Sequence, residues 1–141
     1  MAHTPSSPQH QQVRLLMYTL PGGWQVLVGR TDADNDALSF RVAKPDDWWF
    51  HIRGMPGSHV ILQGPPSADP DREILHRAAA IAAYHSKART AGVVAVSSTR
   101  VRDVSKPRGA KAGTVQIRHE QVFKVRPAPG DPAGEPGHTS P

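Results

Sequence analysis

The chain has 141 residues, a length that accommodates one domain of ordinary size. It contains no cysteine, which excludes disulfides, thiolate metal sites and cysteine nucleophiles. Its longest apolar run is far shorter than the roughly 20 residues of a membrane span, and its N-terminus lacks the apolar core of a signal peptide. The net charge is +5, from 17 Lys and Arg against 12 Asp and Glu, and we expect a basic, soluble, cytoplasmic protein.

The two ends of the chain differ in composition from the rest. Residues 1–12 are polar and interrupted by proline, and residues 127–141 are rich in proline and glycine. Segments of this kind bury too little apolar surface to fold by themselves. We therefore predict disordered tails at 1–12 and 127–141, and a single domain between them at 13–126.

Positive charge is concentrated in the second half of that domain. Residues 13–71 carry five basic and seven acidic side chains, whereas residues 72–126 carry twelve and three, a net charge of +9. Clustered positive charge favours a polyanionic partner such as an extended phosphate backbone. An ordinary solvated face is the alternative interpretation.

The first elements are a hairpin and a short helix. Val13–Thr19 and Trp24–Arg30 are β-prone runs on either side of a Pro-Gly-Gly turn, which predicts an opening hairpin. In Thr31–Val42, an N-cap at Asp32 favours a short helix, although Ser39–Val42 also alternates like a strand.

Two strands and a long helix follow. Trp48–Ile52 and Ser58–Leu62 are predicted strands joined by a loop rich in Gly and Pro. Apolar residues then recur at helical spacing after an Asp-Pro pair, which predicts a helix over Pro70–Arg89 that Gly92 terminates.

The remaining elements are short strands. Val93–Val96 resembles a buried strand, Thr99–Val104 alternates, and Val115–Ile117 with Gln121–Val125 predicts a closing hairpin. Together the elements predict an α+β domain in which a largely antiparallel sheet packs with one long and one short helix.

The first concentration of special residues begins in the strand Trp48–Ile52. Alternation places Trp49, His51 and Arg53 on one mixed aromatic and polar face, which is suited to stacking a base. Trp48 lies on the opposite, apolar face, which we expect to pack in the core.

The adjacent turn, Pro56–His59, contributes Ser58 and His59 as candidate binding residues. The structural alternative is that Gly57 supplies backbone freedom and the histidines hydrogen-bond to nearby groups. Adjacent residues of a strand point to opposite faces, so Ser58 and His59 cannot form a nucleophile and base pair. A phosphoester hydrolase that uses His51 and His59 remains a rival hypothesis.

The second concentration of special residues, Arg100–Lys111, is basic and contains glycine. Its cations oppose a lone Asp103, and a basic loop containing glycine can approach phosphates with backbone donors and side chains together. Lys87, on the polar face of the long helix, extends this surface. The cations of the stretch are Arg100, Arg102, Lys106, Arg108 and Lys111.

The sequence predicts no metal and no cofactor. The eight histidines are scattered without the spacing of a zinc protease, and nucleotide-binding fingerprints are absent. A zinc site formed by His51 and His59 with Asp46 or Asp47 is the weaker alternative.

Six short motifs occur in one order along the chain. They are Val28-Gly29-Arg30, Asn35-Asp36-Ala37-Leu38, Asp47-Trp48-Trp49-Phe50-His51, Pro56-Gly57-Ser58-His59-Val60, Ala82-Ala83-Tyr84-His85-Ser86-Lys87-Ala88 and Val104-Ser105-Lys106-Pro107-Arg108-Gly109-Ala110-Lys111-Ala112-Gly113. This ordered set resembles the NFACT RNA-binding domain, NFACT-R, over nearly the whole predicted domain. His85 stands where a Tyr is expected, and Arg108 and Ala112 also depart from the usual pattern.

In that family the domain usually follows NFACT-N, helix-hairpin-helix and coiled-coil segments. Those ribosome-associated quality-control proteins bind the large ribosomal subunit and tRNA and, in bacteria, direct alanine tailing. Since this chain has no room for the other segments, it is similar to a stand-alone form of the domain. The resemblance implies RNA binding linked to translation.

We therefore expect a non-enzymatic module that binds structured RNA. The expected RNA is tRNA or rRNA, and the large ribosomal subunit is the expected larger partner. The RNA-binding hypothesis thus has two rivals, the phosphoester hydrolase and a protein-interaction adaptor for an acidic partner. The predicted RNA-binding residues are Trp49, His51, Arg53, Ser58, His59, Lys87, Arg100, Arg102, Lys106, Arg108 and Lys111.

Overall fold

A computed structural model describes residues 14–132, so the predicted tail at 1–12 lies outside the described residues. Seven antiparallel strands form the main sheet, in the order β8-β5-β3-β4-β2-β1-β9. These strands are β1 Leu15–Leu20, β2 Trp24–Gly29, β3 Trp48–Ile52, β4 Val60–Gln63, β5 Val94–Arg100, β8 Gln121–Val125 and β9 Asp131–Pro132. A two-stranded sheet pairs β6 Val104–Ser105 with β7 Gln116–Ile117. The predicted α+β class with an antiparallel sheet is confirmed.

The long helix α2, Arg72–Tyr84, covers one face of the main sheet. It begins where Asp71 accepts a hydrogen bond from the Ile74 N–H at 2.9 Å. Its alanines are buried against apolar strand residues such as Phe50 and Val96, whose period of two places them on this face. The helix is shorter than predicted because the chain leaves it at His85, where the next residue bridges to Gly57.

The opposite face carries a second layer. The short helix α1, Asp32–Ala37, begins at the N-cap Thr31 and continues into a π-helical turn at Leu38–Val42. This turn and the β6–β7 sheet cover a smaller apolar cluster that includes Trp49 and Ile61. The predicted helix is therefore confirmed, and the strand alternative for its last residues is wrong.

The predicted closing hairpin is wrong. β7 pairs with β6, whereas β8 pairs with β5, so the two segments belong to different sheets. His119 lies between them with φ of 58°, and the chain changes layer at this point. The predicted strands Val93–Val96 and Thr99–Val104 are rearranged as well, because β5 runs unbroken before a 3₁₀ turn at Val101–Asp103.

The predicted domain boundary at Arg126 is too early. The Ala128 N–H donates to the Ala80 carbonyl of α2 at 3.1 Å, and β9 pairs with β1. A backbone that pairs with both a helix and a sheet edge continues the fold, so the predicted tail at 127–141 is docked through residue 132. The remainder lies outside the described residues. None of the helices in residues 14–132 is long and apolar enough to cross a membrane.

Candidate functional site

The candidate site lies at the end of the sheet where β3 ends and β4 begins. The connecting loop folds back onto the chain that leaves α2. The Ser58 N–H donates to the His85 carbonyl at 2.9 Å, and the Lys87 N–H donates to the Pro56 carbonyl at 3.2 Å. Together with the Gly57–Ser86 bridge, these bonds pair the loop that carries Ser58 with the segment that carries Lys87, in an antiparallel arrangement.

A cavity of about 440 Å³, here called the Ser58 cavity, opens beside this junction. Its lining includes Gly29, Arg30, Ser58, Ser86, Lys87 and Arg89. The sequence analysis missed Arg30 and Arg89 as site residues. Arg30 follows directly on the end of β2 and precedes a helix cap, which is the signal that could have found it. Arg89 was missed because the long helix was predicted to continue to this residue.

His59 lies inside the domain, with 2% of its surface exposed. Its Nε2 is 3.2 Å from the Gly113 carbonyl, which can only accept, so Nε2 carries the proton. Nδ1 is 2.9 Å from Ser39 Oγ and therefore accepts from that hydroxyl. Burial lowers the pKa of His59 to about 4, and the positive charge of a protonated His51 would add to this effect. The structure therefore places His59 inside the domain as a neutral residue, whereas the sequence predicts it on the binding face.

The basic loop is fastened to α1 through Asp36. One oxygen of this carboxylate accepts from the Gly113 N–H at 2.9 Å, and the other lies 3.0 Å from Lys106 Nζ. Lys106 Nζ also donates to the Thr114 carbonyl at 3.2 Å. Lys106 therefore holds the loop together from within, whereas Lys111 projects from it as an exposed cation. Arg108 is exposed in the same way.

Trp49 and His51 form a ring cluster with His59. The Trp49 and His51 rings are stacked with centroids 5.9 Å apart, and His59 meets both edge-on. Trp49 is only 3% exposed because the second layer covers it. Its ring therefore offers no open face for the predicted stacking of a base. His51 is half-buried and lines a cavity of about 300 Å³, here called the His51 cavity.

Arg53 stands at the mouth of the His51 cavity. Its Nε lies 3.2 Å from Glu120 Oε2, and the same carboxylate accepts from Ser97 Oγ. The Arg53 side chain is 57% exposed, so its charge is largely balanced by Glu120 while it stays accessible to solvent.

The histidines of the site do not supply its positive charge. Burial lowers the pKa of His51, although hydrogen bonds to the backbone of Gly57 and Ile52 oppose this effect. Burial and the nearby Arg89 guanidinium likewise lower the pKa of His85. Near neutral pH the cationic groups are therefore the Arg and Lys side chains.

Arg100 and Arg102 lie at the other end of the sheet. Arg100 pairs in register with Trp48, at the start of β3, and its guanidinium sits 4.2 Å from the centre of that ring. It also lies 3.8 Å from Asp69, while Arg102 forms an ion pair with Asp46. The structure therefore separates Arg100 and Arg102 from Lys87 and Lys111, since these two arginines lie at the far end and pair with carboxylates there.

The geometry also bears on His59 as a proton acceptor in the hydrolase hypothesis. Both ring nitrogens of His59 are occupied, and its low pKa makes it a poor proton acceptor at neutral pH. Within residues 14–132 there is no group of three or more His, Cys, Asp or Glu side chains that could hold a metal ion.

The fold and this arrangement of residues correspond to a known class of domain. The family model for the NFACT protein RNA binding domain matches residues 14–119, and the chain belongs to that family. The resemblance drawn from the six motifs is confirmed.

Relatives within this class are longer proteins. The chain is 41% identical over 110 residues to the Rqc2 homolog RqcH of Bacillus subtilis strain 168. The aligned segment covers 78% of this chain and 19% of that protein. The Rqc2 homolog RqcH of Streptococcus suis strain 05ZYH33 is 39% identical over 102 residues, 72% of this chain and 18% of that protein. The chain thus spans about a fifth of the length of these curated relatives.

A solved structure has the same fold. The C-terminal part of the fibronectin/fibrinogen-binding protein from Streptococcus suis superposes with a TM-score of 0.76 at 36% identity. The match covers 82% of this chain and 46% of that one.

Proposed function

We propose that the chain is a non-catalytic RNA-binding module whose phosphate-binding surface is a basic rim at the site end of the sheet. The basic rim consists of Arg30, Lys87, Arg89, Arg108 and Lys111. Within the described part of the chain, none of these five side chains forms an ion pair with a carboxylate. This is the observation that carries the proposal, because unpaired cations can exchange their counterions for phosphates.

The geometry favours an extended anion over a small one. Arg30, Lys87 and Arg89 border the Ser58 cavity, whereas Arg108 and Lys111 project from the loop that Asp36 fastens to α1. Cations spread over three segments of the chain suit successive phosphates of a nucleic-acid backbone. Arg89 in addition stacks on Tyr84 at 4.3 Å, which holds its guanidinium in place.

The RNA that we propose is structured, either tRNA or rRNA, in ribosome-associated quality control. The support is family membership and the identity of 41% to a protein named Rqc2 homolog RqcH. Such a role would put the chain on or near the large ribosomal subunit in the cytoplasm.

The test is crosslinking in cells followed by sequencing of the bound RNA. We expect tRNA or large-subunit rRNA to be enriched, and the enrichment to fall when Lys87, Arg108 and Lys111 are replaced by alanine. Recovery of no RNA above a mock control would contradict the proposal. Purified protein provides the second arm, since an adaptor for an acidic protein would retain that partner in the presence of excess tRNA, whereas an RNA-binding module would release it.

A further inference from the structure

The His51 cavity differs in chemistry from the basic rim. It lies between β3 and the end of the basic loop, and its lining includes His51, Arg53, Gly54, Thr114, Val115 and Ile117. Apolar side chains such as Val115 and Ile117, the neutral His51 ring and the hydroxyl groups of Ser97 and Thr114 therefore line a volume of about 300 Å³, with Arg53 at its mouth. This volume is at the lower end of small-ligand pockets, which span roughly 300–1,000 Å³, so it suits one small planar group.

One wall of this cavity is a fixed aromatic ring. His51 stacks against Trp49 with an interplanar angle of 20°, and His59 contacts the edge of the cluster at 84° to His51. Trp49 and His59 are both buried, and His59 is hydrogen-bonded through both nitrogens. All three rings line the cavity, and the half-buried His51 is the most accessible of them, so it is the ring that a planar ligand can cover.

The charges at the mouth argue against a phosphate inside the cavity. Glu120 is paired with Arg53 and accepts from Ser97, so its carboxylate stays fixed beside the opening. Because Arg53 and Glu120 neutralise each other, the cation at the mouth is already paired and does not attract a phosphate, and the pair does not penalise an uncharged aromatic base. The unpaired cation Lys111 lies two residues before Gly113, on the loop that forms the opposite wall, where a phosphate outside the cavity can reach it.

We propose that the His51 cavity binds one unpaired nucleobase of the RNA, which stacks on His51 while its phosphates stay on the basic rim. This inference rests on the proposed function and adds a preference to it. A base has to leave its helix to enter the cavity, so the module binds a bulged or looped nucleotide better than a continuous duplex.

The first measurement follows the tryptophan indole N–H signals of the ¹⁵N-labelled full chain during titration with the four ribonucleoside 5′-monophosphates. The chain has 3 Trp, and Trp24 and Trp48 line a separate cavity of about 650 Å³ at the far end of the sheet. We expect the Trp49 signal to move with at least one nucleotide while the other two stay in place. Inorganic phosphate is the control ligand, and an equal shift of Trp49 with phosphate alone, or no shift with any nucleotide, would overturn the inference.

The second measurement compares a short RNA duplex with the same duplex carrying one bulged nucleotide. We expect the wild-type chain to prefer the bulged RNA by about tenfold, which corresponds to ~1.4 kcal/mol and is in the range of base stacking on an aromatic ring. His51→Ala should lose the preference and keep the affinity for the duplex. His51→Phe should keep the preference because it retains a ring. Met55→Ala, at an exposed position of the loop that follows β3, is the control.

Equal wild-type affinity for both RNAs would contradict the base site while leaving the proposed function intact. Failure to bind either RNA would contradict the proposed function. In that case the response of Trp49 to nucleotides still decides the inference on the cavity.

Discussion

His59 connects three parts of the chain that are distant in sequence. Its ring bonds to Ser39 in the π-helical turn and to Gly113 at the end of the basic loop, and its backbone N–H donates to Asn35 Oδ1 at 3.0 Å. Ser39 and Gly113 would be left without their partners if the imidazole were removed, whereas the backbone bond to Asn35 would remain. His59 therefore contributes to the site by positioning the loop that carries Lys111.

His59→Ala should lower the free energy of unfolding and leave the affinity for RNA nearly unchanged. The stranded Ser39 hydroxyl and Gly113 carbonyl cost about 1–3 kcal/mol, the usual range for a buried polar group that loses its partner. Urea unfolding and RNA affinity measured on one sample separate the two effects. Wild-type stability combined with weakened binding would return His59 to the binding face.

The stability of the fold should also depend on pH through His59. Its pKa is about 4 in the folded chain and about 6.5 when unfolded, so between these values only the unfolded chain takes up the proton. Stability is therefore lost as the pH falls below 6.5, by roughly 2 kcal/mol at pH 5. His59→Gln should flatten this dependence in urea unfolding between pH 7 and pH 5. Parallel curves for the variant and the wild type would show that His59 does not titrate as described.

At the scale of elements, the loop after β3 depends on a close approach to the chain that leaves α2. A Cβ atom on Gly57 would lie 2.8 Å from Ile52 Cγ2 and 2.8 Å from Ser86 Cβ. Gly54, in the same loop, has φ of +79° and nothing within 4 Å of a built Cβ. Gly57 is therefore required for the close packing, and Gly54 for its backbone conformation.

Gly57→Val should destabilise the fold by about 1–3 kcal/mol, as overpacking does in a closely packed region. Gly54→Asn is the matched control, since Asn tolerates the left-handed region and meets no neighbour there. Thermal unfolding of both variants checks the difference. If Gly57→Val melts with the wild type, the junction between the loop and α2 is not as close as described.

The docked C-terminal segment gives another element-scale prediction. A chain that ends at Arg126 loses the bond from Ala128 to Ala80 and the β1–β9 pairing, whereas a chain that ends at Pro132 keeps both. We expect the shorter chain to melt several degrees lower, since about 1 kcal/mol shifts Tm by roughly 4–8 °C in a domain of this size. Equal melting temperatures for the two truncated chains would show that residues 127–132 add nothing to the fold.

Local pattern predicted the strands and helices better than it predicted their partners. Alternation in Trp48–Ile52 identified the core face correctly, because burial on a sheet follows a period of two. It could not show that a second layer covers Trp49 on the other face, since that layer comes from segments far away in sequence. The wrong closing hairpin has the same cause: Gln121–Val125 pairs with β5, and only the assembled sheet determines that choice.

Whether a cation is free or neutralised could not be predicted for a similar reason. Arg102 and Lys111 look alike in sequence, yet Asp46 pairs with the first and no carboxylate pairs with the second among the described residues. Asp46 is distant in the sequence from Arg102 and meets it only because β3 and β5 are neighbours.

At the scale of the whole molecule, the sheet separates two kinds of positive charge. The basic rim lies at the end where β3 stops, and the cations at the opposite end lie among Asp46, Asp47 and Asp69. Paired cations keep their carboxylates when a phosphate approaches, and unpaired cations release only mobile counterions. Affinity for RNA should therefore depend on which end loses its charge, at equal net charge.

The salt dependence of RNA affinity tests this account most directly. Two triple alanine variants remove the same charge. One lies at Lys87, Arg108 and Lys111 on the rim, and the other, the far-end variant, lies at Arg77, Arg100 and Arg102, which pair with Glu73, Asp69 and Asp46. The rim variant should bind more weakly and lower the slope of log affinity against log salt by about 2–3, since each lost phosphate contact removes about 0.7–0.9. The far-end variant should keep the wild-type slope. An equal loss of slope in both variants, or an unchanged slope in the rim variant, would contradict the assignment of the rim as the RNA-binding surface.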